Sequence, residues 1–152
     1  MIAMFIIMTS VLGYVAMQVR SMRTVTASQL EMQAITIASS IAESLRSNET
    51  VALGGGYDGE VTASGITGTC EGAAAICTAA EMAAYDMTTW QSSLATLPGG
   101  RARIERLVVP DEGTLLRVTV CWNPNREAPD ASCSPGNGDT NPPGSYALEV
   151  ML

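Results

Sequence analysis

The chain contains no histidine and no lysine, and only one phenylalanine. Without histidine, the commonest general base and the commonest metal ligand are both missing. No Ser–His or Cys–His pair can be assembled for nucleophilic catalysis. All eight basic residues are arginines against fifteen acids, giving a net charge of −7. That balance lacks the basic footprint that nucleic-acid binding requires. The four cysteines, Cys70, Cys77, Cys121 and Cys133, are not spaced as CxxC. With no histidine to complete a mixed set, they do not read as a zinc site. The triple glycine Gly54–Gly56 is followed by no lysine at phosphate-loop spacing. The expectation is a protein with no catalytic residues, no cofactor and no metal.

Two further absences are local. The first 47 residues hold no proline, and the first 19 hold no charge. Met1 to Gln18 is an almost unbroken apolar run, and it passes without a break signal into an amphipathic pattern ending near Asn48. A single helix of that length would measure roughly 70 Å. A domain built from about 100 remaining residues has no room to bury it. The apolar run lacks the basic leader and the cleavage pattern of a signal peptide. It is slightly short of the roughly 20 residues of a full membrane span.

An even count of cysteines behind such a segment reads as two disulfides formed in an oxidising compartment. The alternative is four free buried thiols. Three connectivities are possible, and the local ones, Cys70–Cys77 and Cys121–Cys133, are favoured because each closes a short loop. Arg20 and Arg23 flank the apolar run on its C-terminal side, which taken alone points that side to the cytoplasm. The cysteines point the other way and are given more weight.

From Thr24 to Asn48, Leu30, Ala34, Ile37, Ile41 and Leu45 recur at helical spacing and define one apolar stripe. Residues 54–78 are rich in Gly, Ala, Ser and Thr and read as a loop. Thr78 to Leu97 reads as a helix, with Thr78 and Glu81 forming a capping box. Met82, Tyr85, Thr89 and either Trp90 or Ser93 are its expected buried side. Leu97-Pro98-Gly99-Gly100 stops it.

Three strands are expected next: Arg101 to Val109, Thr114 to Trp122, and a last one through Tyr146, Leu148, Val150 and Leu152. In the second, Leu116, Val118, Val120 and Trp122 alternate with Leu115, Arg117, Thr119 and Cys121. Pro110–Gly113 is a turn. Residues 123–144 hold five of the seven prolines and read as irregular. Glu105, Asp111, Glu112 and Glu127 read as solvated surface rather than an acid pair.

The sum is an α+β chain, a small antiparallel sheet packed on the C-terminal half of a long helix. The expected division is 1–24 as a membrane or filament-core segment and 25–152 as a head. Leu30, Ala34, Ile37, Ile41, Leu45, Val118, Val120, Leu148 and Val150 form the expected head core. Met1, Met4, Phe5, Met8, Leu12, Gly13 and Ala16 form the expected helix-assembly surface. Methionine packs adaptably and small residues permit close helix approach. The methionines read equally well as lipid-facing filler, and Gly13 as a weak point in the helix.

Three stretches together resemble a known family. The opening MIAMFIIMTSVLGYVAMQ resembles the N-terminal helix of type IV pilins just past its processing motif. Ala38 to Asn48, with Glu43, Arg46 and Asn48, is similar to the helix end in the PilV-like minor pilins (the type IV pilus modification protein family). Trp90 through Gly100, then a Val/Thr strand ending in Trp122, is similar to that family's later segment. The processing Gly, the methylated Phe and the Glu of the motif are not present. The expectation is that the numbering begins inside the mature protein or that a start site is misplaced.

The resemblance implies a minor pilin that primes pilus assembly and sits in a tip complex. It implies other minor pilins, the major pilin and a large tip adhesin as partners, with inner-membrane lipid before assembly. The head would lie in the periplasm first and at the pilus tip on the cell surface later. A minor pseudopilin of type II secretion shares this plan. A membrane-anchored periplasmic binding or sensor domain is the alternative from another class.

Overall fold

One helix dictates the architecture. In a computed structural model of the protein, α1 runs unbroken from Ile2–Ser47, 46 residues. No proline interrupts it, and its one internal glycine, Gly13, costs only about 1 kcal/mol. The structure describes residues 2–61, 70, 76–109, 113–123, 133 and 144–152, without the side chains of 2–6, 9, 10 and 109.

After Asn48 a short α2 (Glu49–Leu53) leads through glycines to β1 (Gly59–Glu60). Helix α3 (Ala79–Leu94) precedes the strands β2 (Arg101–Val109), β3 (Gly113–Cys121) and β4 (Ser145–Met151). The sheet order is β1-β2-β3-β4, with every pair antiparallel. Register runs from Arg101↔Cys121 to Val109↔Gly113, and from Leu115↔Met151 to Cys121↔Ser145. The architecture is the expected α+β head on a helical stalk. Residues 110–112, with the expected turn and its acids Asp111 and Glu112, lie outside the described residues. So does Glu127, and so do all five prolines of the 123–144 segment.

The core lies between the sheet and the last five turns of α1. Ala34, Ala38, Ile41 and Leu45 are completely buried, and Ala42 nearly so. Leu116, Val118, Val120 and Val150 cover them with Ala102, Ile104 and Trp122. Leu30, Ile37 and Leu148 are half-buried at the flank. The stripe therefore centres on Ala34, Ala38, Ile41 and Leu45, wider than the expected line by two alanines. Each fully buried aliphatic side chain contributes about 1.5–3 kcal/mol.

Helix α3 begins with the expected capping box. Thr78 accepts from the Glu81 backbone N–H, and the Glu81 carboxylate accepts from the Thr78 N–H at 2.8 Å. Its buried face agrees with the expected one at Trp90 and differs elsewhere. Ala83, Trp90 and Leu94 are buried and Met87 packs on the core, whereas Thr89 is exposed and Met82, Tyr85 and Ser93 are half-buried. The helix is turned by about one residue, because Trp90 packs on the buried Tyr57 ring, centroids 5.4 Å apart.

Thr119 also departs from the simple alternation. It is 1% exposed although it faces away from α1. The Cys121–Cys133 disulfide brings buried Cys133 over it, with Sγ 3.6 Å from the Thr119 carbonyl oxygen. The Thr119 hydroxyl has no hydrogen-bond partner among the described residues. Cys70 and Cys77 form the second disulfide.

Replacing Ile41 with alanine should destabilise the head by about 2–5 kcal/mol, as cavity formation in a core does. Val25→Ala on the exposed stalk should stay within about 0.5 kcal/mol. Denaturant titration of the detergent-solubilised chain measures both, and equal effects would place the core elsewhere.

Candidate functional site

Helix α1 changes character along its length. Among the described side chains, residues 7, 8 and 11–29 are all exposed, while from Ala34 onward one face is fully covered. The exposed part carries large apolar groups on every side. Leu12 is 70% exposed, Met17 75% and Met22 68%, with Ile7, Met8, Val11, Tyr14, Val15 and Val19 beside them. Contiguous apolar surface of this extent marks an interaction site on a soluble protein.

The residues expected at the assembly surface fall as follows. Met1 lies outside the described residues. Met4 and Phe5 lie on the helix, with side chains outside the description. Met8, Leu12, Gly13 and Ala16 are exposed, and a Cβ on Gly13 would meet nothing within 4 Å. Their exposure does not set them apart from Val11, Val15 or Met17 on the other faces. Among the described residues, no helix is long and apolar enough to cross a membrane.

At the other end of α1, Asn48 anchors a polar junction. Its side-chain amide donates to the Tyr57 hydroxyl at 2.9 Å and to the Ala79 carbonyl at 2.8 Å. The Tyr57 hydroxyl in turn donates to Asp86 Oδ2 at 2.8 Å. This chain of bonds ties the end of the stalk to α3 through a tyrosine that is 1% exposed. Burial pushes the Asp86 carboxyl above its usual range, against the bond from Tyr57, which lowers it. Burial and the bond to Asp86 push the Tyr57 phenol up. Glu81 at the α3 cap is held low by the Thr78 N–H and hydroxyl.

The turn before β1 is held by Arg106, whose guanidinium donates to the Leu53 carbonyl and to Asp58 Oδ2. Gly55 is required there. Its φ is +83°, and a Cβ would lie 2.6 Å from Arg106 Nη2. Sequence reasoning names neither Tyr57 nor Asp86. A lone tyrosine among glycines and a lone acid in mid-helix give no periodic signature.

On the outer sheet face, Glu105 pairs with Arg103 and Glu149 with Arg117, at 2.8 and 2.7 Å. Half-exposed pairs of this kind contribute about 0–1 kcal/mol. Among the described residues, no group of three or more His, Cys, Asp or Glu side chains is placed to hold a metal ion.

Residues 16–88 match the family model Tt1218-like, described as Type IV pilin Tt1218. The matched stretch starts in the exposed part of α1, passes the Asn48–Tyr57 junction and ends inside α3. It is just under half of the chain. No curated protein and no solved structure matches. The match and the α+β stalk-and-head fold together support a type IV pilin.

The junction makes a pH-dependent prediction. A carboxyl whose folded pKa is raised binds its proton more tightly folded than unfolded. Asp86 therefore favours folding more as pH falls from neutrality through its folded pKa toward the unfolded value near 3.9. Asp86→Asn keeps an acceptor for Tyr57 and removes the buried charge. It should match or exceed the wild-type melting temperature at neutral pH, with the margin shrinking as pH falls through that window. Asp86→Ala should cost about 1–3 kcal/mol by orphaning the Tyr57 hydroxyl. Thermal melts across pH check both, and a margin independent of pH would contradict this account of Asp86.

Proposed function

We propose that this chain is a minor pilin, resembling the PilV-like family, that helps prime pilus assembly and sits in a tip complex. Its role is structural rather than enzymatic. The single observation that carries the reading is the two-part helix. One unbroken rod carries exposed apolar side chains on every side through Val19 among the described residues, and is buried along one face beneath a small head over its second half.

The physical argument follows from that division. Apolar side chains exposed all round a helix need lipid or other helices around them. Residues 1–24, held in the inner membrane before assembly, would exchange lipid for neighbouring pilin helices in the filament. The apolar run through Val19 is about 28 Å long, close to the roughly 30 Å hydrocarbon core of a bilayer. The rod's continuity lets it carry residues 25–152 as a rigid head, first in the periplasm and then at the cell surface. The two disulfides fit the oxidising side of the membrane. Other minor pilins and the major pilin are the partners this reading requires, with a large tip adhesin as a further candidate.

The test exchanges Met1–Val19 for an unrelated apolar helix of equal length. The expected result is a protein that stays in the membrane with a folded head but no longer co-purifies with other pilins or supports normal pilus numbers. Normal piliation by the exchanged protein would make the helix a passive anchor. It would then favour a membrane-anchored binding or sensor domain.

A further inference from the structure

Between Met1 and Gln29 the chain carries two charges, Arg20 and Arg23. Both side chains are exposed on α1. Three residues apart, they lie on one side of the helix. The positions one turn away are Ala16 and Met17, Val19, Thr24, Thr26 and Ala27, so no acid reaches them along the helix. Neither forms an ion pair among the described residues. The Thr24 and Thr26 hydroxyls turn back onto the carbonyls of Arg20 and Met22, at 3.2 and 3.0 Å. The other six arginines lie from Arg46 onward, and all fifteen acids from Glu31 onward. The basic pair is thus segregated from an acidic remainder.

Its position along the rod is the second observation. Arg20 directly follows the apolar run that ends at Val19, and Arg23 lies about 4.5 Å beyond it along the axis. A helix that enters lipid by that run brings both guanidiniums to the headgroup layer at its end. We propose that Arg20 and Arg23 form a clamp for the headgroup phosphates of anionic phospholipids, where α1 leaves the bilayer on the side of the head. This rests on the membrane placement of α1 proposed above.

The chemistry favours this occupant. The guanidinium fork matches phosphate oxygens bidentately. The long arginine stem can lie along apolar surface while its head reaches the interface. Arginine is ordinarily kept to the cytoplasmic side of a span, so a pair on the other side needs local compensation, which headgroup phosphates supply. The clamp fixes the depth of the helix, and drawing the chain into a filament has to break it.

The experiment is flotation of the full chain with two kinds of vesicle, phosphatidylcholine alone and phosphatidylcholine mixed equally with phosphatidylglycerol. Wild type should partition on the order of tenfold or more better into the anionic vesicles. Added salt should erode that advantage. The R20Q/R23Q double variant should lose it while still binding neutral vesicles through the apolar run. An unchanged circular-dichroism spectrum verifies that the variant is folded. Equal partition of wild type and variant into both vesicles would overturn the clamp and leave the membrane placement standing. No binding of wild type to either vesicle would overturn both. Unchanged lipid binding with lost co-purification of other pilins would overturn the clamp and assign the pair to a protein carboxylate.

Discussion

The structure depends on how closely the sheet can approach α1. Ala34, Ala38 and Ala42 place almost no side chain between helix and strands. The inner residues of β3 and β4 therefore reach the helix surface, where Ile41 and Leu45 fill the remaining space. Packing at this density leaves little tolerance for volume change. Without that face of α1, Leu116, Val118, Val120 and Val150 would present one apolar sheet surface to water. The strands cannot form a head without the helix, and the helix cannot bury its other half within the head. Folding and association are thus divided between two ends of one continuous element.

The junction at Asn48 makes that division mechanically useful. A rod transmits orientation to its head only if the head cannot swivel at the joint. Three side chains from the end of α1, the glycine turn and α3 are bonded in series there, with the Tyr57 ring against Trp90. Hydrogen bonds in a partly desolvated setting are stronger than exposed ion pairs. The junction therefore contributes more rigidity than the salt bridges on the outer sheet face. The disulfides act on a different problem. Each closes a loop of seven or twelve residues in sequence. Short loops bring roughly 2–3 kcal/mol in the chain-entropy account.

Much of this was legible in the sequence, and the exceptions have physical causes. The length of α1 follows from missing breakers, and strands β2, β3 and β4 follow from alternation bounded by turn residues. The α3 cap follows from Thr78 and Glu81. The buried face of α3 was misread because Met82 and Tyr85 look more like core residues than Ala83, and small residues win wherever two elements approach closely. Thr119 was misread because alternation describes one sheet and its helix, whereas the crosslinked Cys133 lies over the other face at this position. Strand β1 is only two residues and carries no pattern. The Asn48–Tyr57–Asp86 bonds join positions far apart in sequence, and nothing in local composition announces them.

The exposed half of α1 poses a question that its own composition does not answer. Its apolar groups point in every direction with comparable exposure, so they supply affinity for lipid or helices without preferring one azimuth. Specificity requires a difference in energy between arrangements, and a uniform coat provides little. What breaks the symmetry must be features that occur once: Gly13, the basic pair at Arg20 and Arg23, and the head held at a fixed rotation by the junction at Asn48. A head rigidly phased to the rod converts contacts between heads into a choice of helix face. In the proposed filament, the buried lane of alanines at one end would thereby set which side of the apolar end meets a neighbour.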